Sequence, residues 1–434
     1  MSDDTIFALS SGQPPAAIAI IRISGPHAET AVRTLAGDLP PPRSARLRHL
    51  KDADGVPLDQ ALLLWFPGLR TATGEPLAEL HLHGGRAVVR AVENALSALP
   101  DLRAAEPGEF TRRAFANGVI DLAEAEGLAD LLSAETEAQR RNAIALADGH
   151  LSRAVEGWQD DLLRISALVE ADLDFSDEDD VDPARAGMIE AAIAGLNADM
   201  EEWLLRPPVE RLKDGLLVVL AGPPNAGKST LINALAQREA VITSDIAGTT
   251  RDVVEIPVSV GGVAMRLADT AGLRDETGDV IEAMGIERAR AMVDAADILV
   301  WLGPVDDAPD HPALILVAPQ ADRYADDALW QARAEGADVI VSAQSGEGMG
   351  ALVDVILAEA SSLLPMGGEI ALNERQRIAI AEAVEVLTTA HEQEDLLIIA
   401  ERLRIARAAL DRLTGRASTE HMLDALFGRF CIGK

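Results

Sequence analysis

The sequence predicts a multidomain protein that combines α/β and all-α architecture. Three observations support this. Apolar, strand-like runs alternate with helical segments over residues 213–364, which is typical of a doubly wound sheet of about six strands. Ala-, Leu-, Glu- and Arg-rich sequence with helical spacing flanks that region over residues 119–212 and 365–434. Residues 1–118 mix both patterns. We therefore expect an N-terminal α+β domain, then a helical domain into which the α/β domain is inserted.

The N-terminal region contains two clear strand candidates. Apolar runs extend from Ile18 to Ile23 and from Ala61 to Phe66, and residues 80–82 form a shorter one. An amphipathic helix is expected over residues 87–99. His81 and His83 share a face of the predicted strand and suggest a metal site, but no carboxylate or cysteine follows at ligand spacing. A structural role for both histidines is the better interpretation.

The first part of the helical domain is expected to hold three long helices. They extend from Asp121 to Ala147, from His150 to Leu173 and from Pro183 to Leu205. The acidic stretch over residues 172–182 lacks the spacing and the glycine of an EF-hand, so we interpret it as a solvated loop.

The composition limits the possible partners and compartments. The chain has 38 Lys and Arg against 71 Asp and Glu, a formal net charge of −33. This charge argues against a direct, nonspecific hold on nucleic acid or on an anionic membrane, although a basic partner could still bring nucleic acid to the protein. A single cysteine, Cys431, excludes an intramolecular disulfide. With no signal peptide and no spanning apolar stretch, we expect a soluble, cytoplasmic protein without membrane association.

The segment Gly222 to Ser229 reads GPPNAGKS and fits the phosphate-binding P-loop. A buried strand is predicted before it and a helix after it, as the motif requires. Backbone amides and the helix N-terminus would bind phosphate oxygens, Lys228 would reach the β- and γ-phosphates, and Ser229 would bind Mg²⁺. The nucleotide-binding residues expected here are Asn225, Ala226, Gly227, Lys228, Ser229 and Thr230.

Further motifs follow in the order found in GTPases. Asp269-Thr270-Ala271-Gly272 ends a predicted strand, where the aspartate can hold a water on Mg²⁺ and the glycine amide can meet the γ-phosphate. Asp245 to Asp252, read DIAGTTRD, supplies switch threonines. Ser342-Ala343 follows the last predicted strand, a common place for base contacts. Together these motifs predict a GTP site.

Two positions depart from an ordinary GTPase. Leu273 stands where Ras-like enzymes carry the glutamine that orients water, so another group must do so; Glu276, Asp279 and Glu282 are the nearest candidates. The usual Asn-Lys-x-Asp guanine-recognition sequence is replaced by PQAD over residues 319–322. Asp322 can still accept from the base, so we expect guanine preference to survive with reduced affinity or selectivity.

Ten short stretches lie in one characteristic order along the sequence: Asp4-Thr5-Ile6, Ile21 to Pro26, His83-Gly84-Gly85, Pro107 to Thr111, Asn117 with Asp121-Leu122, PNAGKS, DIAGTTRD, DTAGLR, Gly285 to Ala289 and the terminal Phe430-Cys431-Ile432-Gly433-Lys434. With these stretches, the whole chain resembles the MnmE (TrmE) family of potassium-activated tRNA-modification GTPases.

The resemblance implies a homodimer formed by the N-terminal domain, which binds 5-formyl-tetrahydrofolate or a related folate. It also implies GTP hydrolysis with Mg²⁺, activated by potassium-dependent pairing of G domains. With an MnmG-type flavoprotein, the family adds an aminomethyl or carboxymethylaminomethyl group at C5 of the wobble uridine (U34) of certain tRNAs. Such a partner could supply the basic tRNA surface that this acidic chain lacks.

The resemblance also implies roles for individual residues. Potassium would be held by Asn225, Ser244, Ile246 and Thr249, in a nucleotide-binding loop that also includes Asp245, Ala247, Gly248 and Thr250. Thr250 with Ser229 matches the magnesium site, and Glu282 matches the catalytic glutamate. Arg22, Glu79 and Lys434 match folate contacts. Val119 replaces a basic family residue, and residues 13–16 read QPPA in place of a glycine-rich loop, so folate binding is the less secure expectation. Cys431 is a candidate catalytic residue.

Two other functions fit part of the sequence. A regulatory or ribosome-assembly GTPase that only binds RNA would carry a basic or KH-like appendage, which this acidic chain lacks. A folate-dependent one-carbon enzyme with a vestigial G domain would suit the altered PQAD sequence. However, the chain keeps Lys228, Ser229, Thr250, Asp269 and Glu282.

Overall fold

The computed structural model describes residues 4–174, 183–238, 240–241, 255–270, 287, 289–324, 327–365, 370–391, 395–416, 420–428, 430 and 432–433. The chain divides into two compact units. One comprises Met1–Ala129, Ala147–Gln159 and Arg407–Lys434; the other comprises Asp130–Leu146 and Asp160–Ala406. The four-segment division expected from the sequence stays a prediction.

The N-terminal region forms a six-stranded sheet with the order β3-β4-β5-β2-β1-β6. Neighbouring strands are antiparallel except β1 and β6, which are parallel. The elements are β1 (Thr5–Leu9), β2 (Ile18–Ser24), α1 (Ala28–Ala36), β3 (Arg46–Lys51), β4 (Pro57–Phe66), β5 (Leu77–His83), α2 (Arg86–Ser97), β6 (Leu102–Ala104) and α3 (Glu109–Ala116). The predicted strands and the predicted helix are confirmed, with β4 and β5 longer than expected.

The two faces of this sheet have different surroundings. On one face, alternate residues such as Ile21, Ile23 and Leu80 are fully buried against helices α1 and α2. On the other face lie the intervening residues, including Arg22 and Glu79, which are directly opposite each other on β2 and β5. The period-two alternation of strands thus separates an apolar core from a polar face.

The helical region begins with α4 (Leu122–Ser133), α5 (Glu137–Ala147), α6 (His150–Asp174) and α7 (Pro183–Leu204). The prediction of a single helix from Asp121 to Ala147 is wrong, because α4 ends at Ser133 and a separate helix, α5, begins at Glu137. Gln139 closes a reciprocal cap there. Its Oε1 accepts from the Thr136 amide at 3.0 Å, and its own amide donates to Thr136 Oγ1 at 3.3 Å. This Thr-x-x-Gln capping box starts a new helix. The acidic residues 175–182 lie outside the described residues.

The α/β region contains a seven-stranded sheet with the order β13-β12-β11-β7-β10-β9-β8. Strands β13 to β10 are parallel along this order, and β9 and β8 are antiparallel additions. The elements are α8 (Glu210–Lys213), β7 (Leu216–Ala221), α9 (Lys228–Arg238), β8 (Ala240–Val241), β9 (Glu255–Val260), β10 (Val263–Asp269), β11 (Ile298–Trp301), β12 (Leu314–Ala318), α10 (Ala321–Tyr324), α11 (Ala328–Glu335), β13 (Val339–Ile340) and α12 (Met349–Leu363). The short β8 accounts for one strand more than expected. Gly261 and Gly262 join β9 to β10 in a hairpin, with φ values of +56° and +84°.

The chain enters and leaves the α/β region at adjacent points. Pro208 and Leu372 form a parallel bridge, and the Val209 amide donates to the Leu372 carbonyl at 3.0 Å. Nearby, the buried Asn142 side chain accepts from the Ala371 amide at 2.8 Å. The chain then continues through α13 (Glu374–His391), α14 (Leu396–Thr414) and α15 (Glu420–Phe427). The α/β region is therefore inserted between helical segments. None of the described helices is both long enough and apolar enough to cross a membrane.

Candidate functional site: a nucleotide site and a polar sheet face

The P-loop connects the end of β7 to the start of α9. Gly222 has φ of +145°, and a Cβ there would come within 3.1 Å of the Leu302 backbone, so glycine is required. Asn225 adopts φ of +61°. Lys228 is buried, and its ammonium donates to the carbonyls of Gly222 and Pro223 at 3.0 and 3.1 Å. The loop therefore curls around its own lysine, as a phosphate cradle requires.

Two side chains predicted for the magnesium site lie in contact at the carboxyl end of the sheet. Ser229 is the second residue of α9, Asp269 ends β10, and the Ser229 hydroxyl donates to Asp269 Oδ2 at 2.5 Å. The adjoining Thr270 hydroxyl donates to the Leu220 carbonyl at 3.2 Å, which holds the two strand ends together. A hydroxyl and a carboxylate are ligands that suit Mg²⁺. The structure thus brings together two of the three residues that the sequence associated with magnesium; the third, Thr250, lies outside the described residues.

The predicted base-recognition residues also meet. Asp322 lies at the start of α10, after β12, and Ser342 lies just after β13. The buried Ser342 hydroxyl donates to Asp322 Oδ1 at 2.5 Å and accepts from the Ser345 amide at 3.1 Å. Ala343 follows and is half-buried. One oxygen of Asp322 is therefore fixed by Ser342, while the carboxylate keeps a second oxygen for a ligand.

Gln320 makes a contact with the P-loop that the sequence motifs did not predict. It adopts φ of +59°, and its Nε2 donates to the main-chain carbonyl of Asn225 at 3.1 Å. A Cβ on Gly227 would lie 3.0 Å from the same amide nitrogen. Gln320 takes the place of the lysine in the usual Asn-Lys-x-Asp sequence, and that substitution was the signal. The side chain joins the base-recognition loop to the P-loop.

The polar face of the N-terminal sheet centres on an ion pair. Arg22 donates to Glu79 Oε1 through both Nε, at 3.2 Å, and Nη2, at 3.0 Å. The guanidinium also lies 5.9 Å from the Phe110 ring centroid, on α3. His81 lies beside the pair, with Nε2 at 3.4 Å from Glu79 Oε2. Two predicted folate residues are therefore joined on one partly open face.

A buried ionic cluster fixes α3 against this face. Arg113 contacts the carboxylates of Asp4, Glu75 and Glu109 at 2.8, 3.2 and 3.0 Å. Burial by itself would raise the pKa of Glu109, but hydrogen bonds from Arg103 and Arg113 outweigh it, and the pKa lies below its usual value of 4.5. The pKa of Arg113 is raised despite its burial, because these carboxylates favour its charged form.

The structure also shows contacts of Val119 and of the C-terminal segment. Val119 packs against Gly74, where a Cβ would lie 3.0 Å from a Val119 methyl group. The Gly433 carbonyl near the C-terminus accepts from Ser10 Oγ at 2.7 Å, and Ile432 bridges Pro107. The C-terminal segment is therefore held beside the end of β1.

Histidine 83 also has a carboxylate neighbour. Its Nδ1 is 2.7 Å from Asp59 Oδ1. Across the described ranges, no three potential metal-ligating side chains of His, Cys, Asp or Glu cluster together.

Several predicted site residues lie outside the described residues, so their positions stay predictions. These are Ser244, Asp245, Ile246, Ala247, Gly248, Thr249, Thr250, Ala271, Gly272, Glu282, Cys431 and Lys434.

Comparisons with known proteins cover the full chain. The family model described as GTP-binding protein TrmE N-terminus matches residues 5–119, and the MnmE helical domain model matches residues 122–431. The tRNA modification GTPase MnmE of Sphingopyxis alaskensis is 60% identical over 419 residues, which is 95% of this chain and 100% of the relative. That of Rhizorhabdus wittichii is 58% identical over 436 residues, 100% of this chain and 97% of the relative. Among solved structures, Aquifex aeolicus Era matches with 23% identity and a TM-score of 0.27, covering 42% of this chain and 69% of that one.

The P-loop, the Ser229–Asp269 pair and the base-recognition loop lie at the carboxyl edge of a doubly wound sheet. Together they define a P-loop GTPase. The family matches also cover the regions on both sides of this α/β region. The chain belongs to the MnmE family of tRNA modification GTPases. The predicted fold class, GTPase activity and family resemblance are confirmed.

Proposed function

We propose that this protein couples potassium-activated GTP hydrolysis to modification of the wobble uridine (U34) of certain tRNAs. With an MnmG-type flavoprotein, it adds an aminomethyl or carboxymethylaminomethyl group at C5. The observation that carries the proposal is the 60% identity to an MnmE relative over that relative's whole length. A GTPase site with its lysine, serine and aspartate in place supports it. The activity is proposed for the cytoplasm, where tRNA and GTP are available.

The nucleotide site suggests a role for each described residue. Lys228 would exchange its two loop carbonyls for β- and γ-phosphate oxygens, and Ser229 with Asp269 would hold Mg²⁺ directly or through water. Bound magnesium would neutralise charge on the phosphates. Asn225 supplies an oxygen for the proposed potassium site, whose other expected ligands are Ser244, Ile246 and Thr249. Glu282 is proposed to act on the attacking water.

Guanine selectivity is proposed to depend mainly on Asp322. Ser342 fixes one of its carboxylate oxygens, so the other would accept from the base N1–H and exocyclic amine. Pro319 has no side-chain donor for the base, in contrast to the usual asparagine. GTP should therefore bind more tightly than ATP. Equal affinity for the two nucleotides would contradict this assignment.

The N-terminal sheet face is proposed to bind 5-formyl-tetrahydrofolate or a related folate. Arg22 and Glu79 supply a donor and an acceptor at one point on this face, and Lys434 would add a cation. Val119 offers no charge where the family has a basic residue. Isothermal titration tests the proposal, and no heat at millimolar formyl-tetrahydrofolate would contradict it. Cys431 is proposed to take part in the chemistry of the C-terminal motif.

The same sheet face supports a proposed homodimer. Ile18, Leu47 and Leu62 lie on it and are 58%, 55% and 39% exposed. Large apolar side chains grouped on one face are typical of a surface that a second protein covers. Sedimentation of the full chain tests the dimer.

Reconstitution tests the proposed function as a whole. The chain, the flavoprotein partner, unmodified tRNA, a folate and GTP are incubated together, and nucleosides are analysed by mass spectrometry. We expect a C5-modified uridine that disappears with Lys228→Ala, while Gln237→Ala, an exposed change on the same helix, leaves it unchanged. Unmodified uridine with the wild-type chain would contradict the proposal.

A further inference from the structure

The negative charge of this protein is unevenly distributed. Residues 1–118 contain 12 Lys and Arg and 13 Asp and Glu, a net charge of −1, whereas the whole chain carries −33. Within this region, residues 39–51 hold four cations and no carboxylate: Arg43, Arg46, Arg48 and Lys51. We call these four residues the basic edge. The N-terminal region is thus close to neutral within an acidic protein, and the basic edge is a stretch without carboxylates between Asp38 and Asp52.

The basic edge lies at the border of the N-terminal sheet. Strand β3 is the terminal strand and carries three of the four cations. Arg46 and Arg48 pair with Leu63 and Ala61 on β4. Their side chains therefore project from one face of the sheet, and that of Leu47 projects from the other. Arg46 and Lys51 are exposed, and Arg48 is half-buried. From Arg46 to Lys51 the strand extends about 17 Å. Arg46 and Arg48 therefore share one face of β3, and Lys51 follows the register shift after Leu50, so these three cations lie along one terminal strand that a long anion can follow.

No carboxylate among the described residues forms an ion pair with these four cations. Arg43 donates to the Arg70 carbonyl and lies over the Phe66 ring, and Arg48 donates to the Leu47 carbonyl at 3.1 Å. In contrast, Arg33 on α1 is paired with Glu29.

The nearest acidic side chains are engaged elsewhere. Asp52 Oδ1 accepts from the amides of Asp54 and Val56, at 3.0 and 2.8 Å. Asp59 accepts from the His83 amide at 2.8 Å and lies against its ring. Both carboxylates keep their negative charge, but neither forms an ion pair with the basic edge, so within the described residues its four cations have no carboxylate in direct contact.

We propose that the basic edge binds the phosphate backbone of RNA. The identification of this RNA as tRNA rests on the proposed function. Charged side chains, lysine especially, also protect a free sheet edge from pairing with another chain, and the salt dependence of RNA binding distinguishes that role from phosphate binding. Arginine binds phosphate oxygens through two donors at once and is weakly hydrated, which suits this role. The acidic remainder of the chain would repel RNA and so restrict it to this edge.

The test compares the salt dependence of tRNA binding by the full-length chain. The variant Arg46→Gln/Arg48→Gln/Lys51→Gln removes three cations and keeps Arg43, which supports the Arg70 loop. Each phosphate contact contributes about 0.7–0.9 to the slope of log K against log salt. Between 50 and 200 mM potassium chloride, wild-type affinity for a dye-labelled tRNA transcript should therefore fall about 20- to 40-fold more than that of the triple variant.

A matched control makes the same change of net charge elsewhere. Arg141→Gln/Arg164→Gln/Arg404→Gln neutralises three exposed arginines, each paired with a carboxylate within one helical turn. This control should keep the wild-type slope. An unchanged slope in the edge variant, an equal change in the control, or no tRNA binding by the wild-type chain at 50 mM salt would each overturn the proposal.

Two other partners give different outcomes. If the edge variant keeps tRNA binding but loses the flavoprotein or its own dimer, measured by sedimentation, the edge is a protein contact and the proposal is wrong. GTP hydrolysis is measured on the same preparations. Its absence in the wild-type chain would contradict the proposed function, whereas an unchanged salt slope with hydrolysis intact would contradict only the RNA site.

Discussion

Truncation of the Gln320 side chain should weaken nucleotide binding without removing any group that is proposed to bind the phosphates. In Gln320→Ala, the 3.1 Å hydrogen bond to the Asn225 carbonyl is lost, and the base-recognition loop is no longer joined to the P-loop. A neutral hydrogen bond contributes about 0.5–1.5 kcal/mol, and the lower half of that range applies here because the bond is exposed to water. This corresponds to about 2- to 5-fold faster release of GDP.

Stopped-flow release of a fluorescent GDP analogue measures this rate. Gln320→Lys should keep the wild-type rate or slow it, because a lysine ammonium can donate to the same carbonyl and its stem can cover the base. Gln237→Ala, an exposed glutamine on α9, is the matched control and should release GDP like the wild type. If Gln320→Ala releases GDP at the wild-type rate, the contact does not hold the nucleotide site together.

Three further predictions concern stability. Asn142→Leu leaves the buried Ala371 amide without its acceptor and should lower the free energy of unfolding by about 1–3 kcal/mol in urea. Arg113→Met leaves the buried Glu75 unpaired and should cost about 3–5 kcal/mol by the same measurement. Because the pKa of Glu109 is lowered on folding, its contribution is present at neutral pH and is lost as pH falls below about 4.5 through its folded-state pKa. Glu109→Gln should therefore lose less thermal stability than the wild type between pH 6 and pH 3.5.

Each of these predictions has a surface control. The exposed changes Asn94→Leu, Arg164→Met and Glu29→Gln repeat the same chemistry away from a buried partner. Equal effects of the Asn142 and Asn94 changes would show that the Ala371 contact contributes nothing. Arg113→Met with wild-type stability would mean that the carboxylates relax onto water. A parallel pH profile for Glu109→Gln would assign the acid sensitivity to other groups.

The α/β region was well predicted because its signals are local. A buried strand, a glycine-rich loop and a helix start follow each other within about 20 residues, and Ser229 and Asp269 were both expected at the phosphate end. The two-residue strand β8 could not be found, because its pairing with β9 depends on the neighbouring hairpin and not on its own pattern. The altered motif that contains Gln320 was expected to reduce affinity or selectivity, and the hydrogen bond of the Gln320 amide to the P-loop was not predicted.

In the helical region, a helix boundary was not predicted. Helical periodicity continues across residues 134–136, so the break after α4 could not be recognised from apolar spacing alone. The Thr136–Gln139 capping box was present in the sequence and was the available signal. The buried charges around Arg113 were also missed, because Asp4, Glu75 and Glu109 are far apart in the chain and only the folded sheet brings them together.

The cation dependence of hydrolysis tests whether potassium activates this GTPase. The full-length chain is assayed for phosphate release from GTP at saturating Mg²⁺, at equal ionic strength in potassium and in sodium buffer. Asn225→Ala serves as the variant that lacks the predicted potassium ligand. We expect rapid hydrolysis in potassium, slow hydrolysis in sodium, and a loss of that difference in Asn225→Ala. A wild-type rate that is the same in both cations would contradict it.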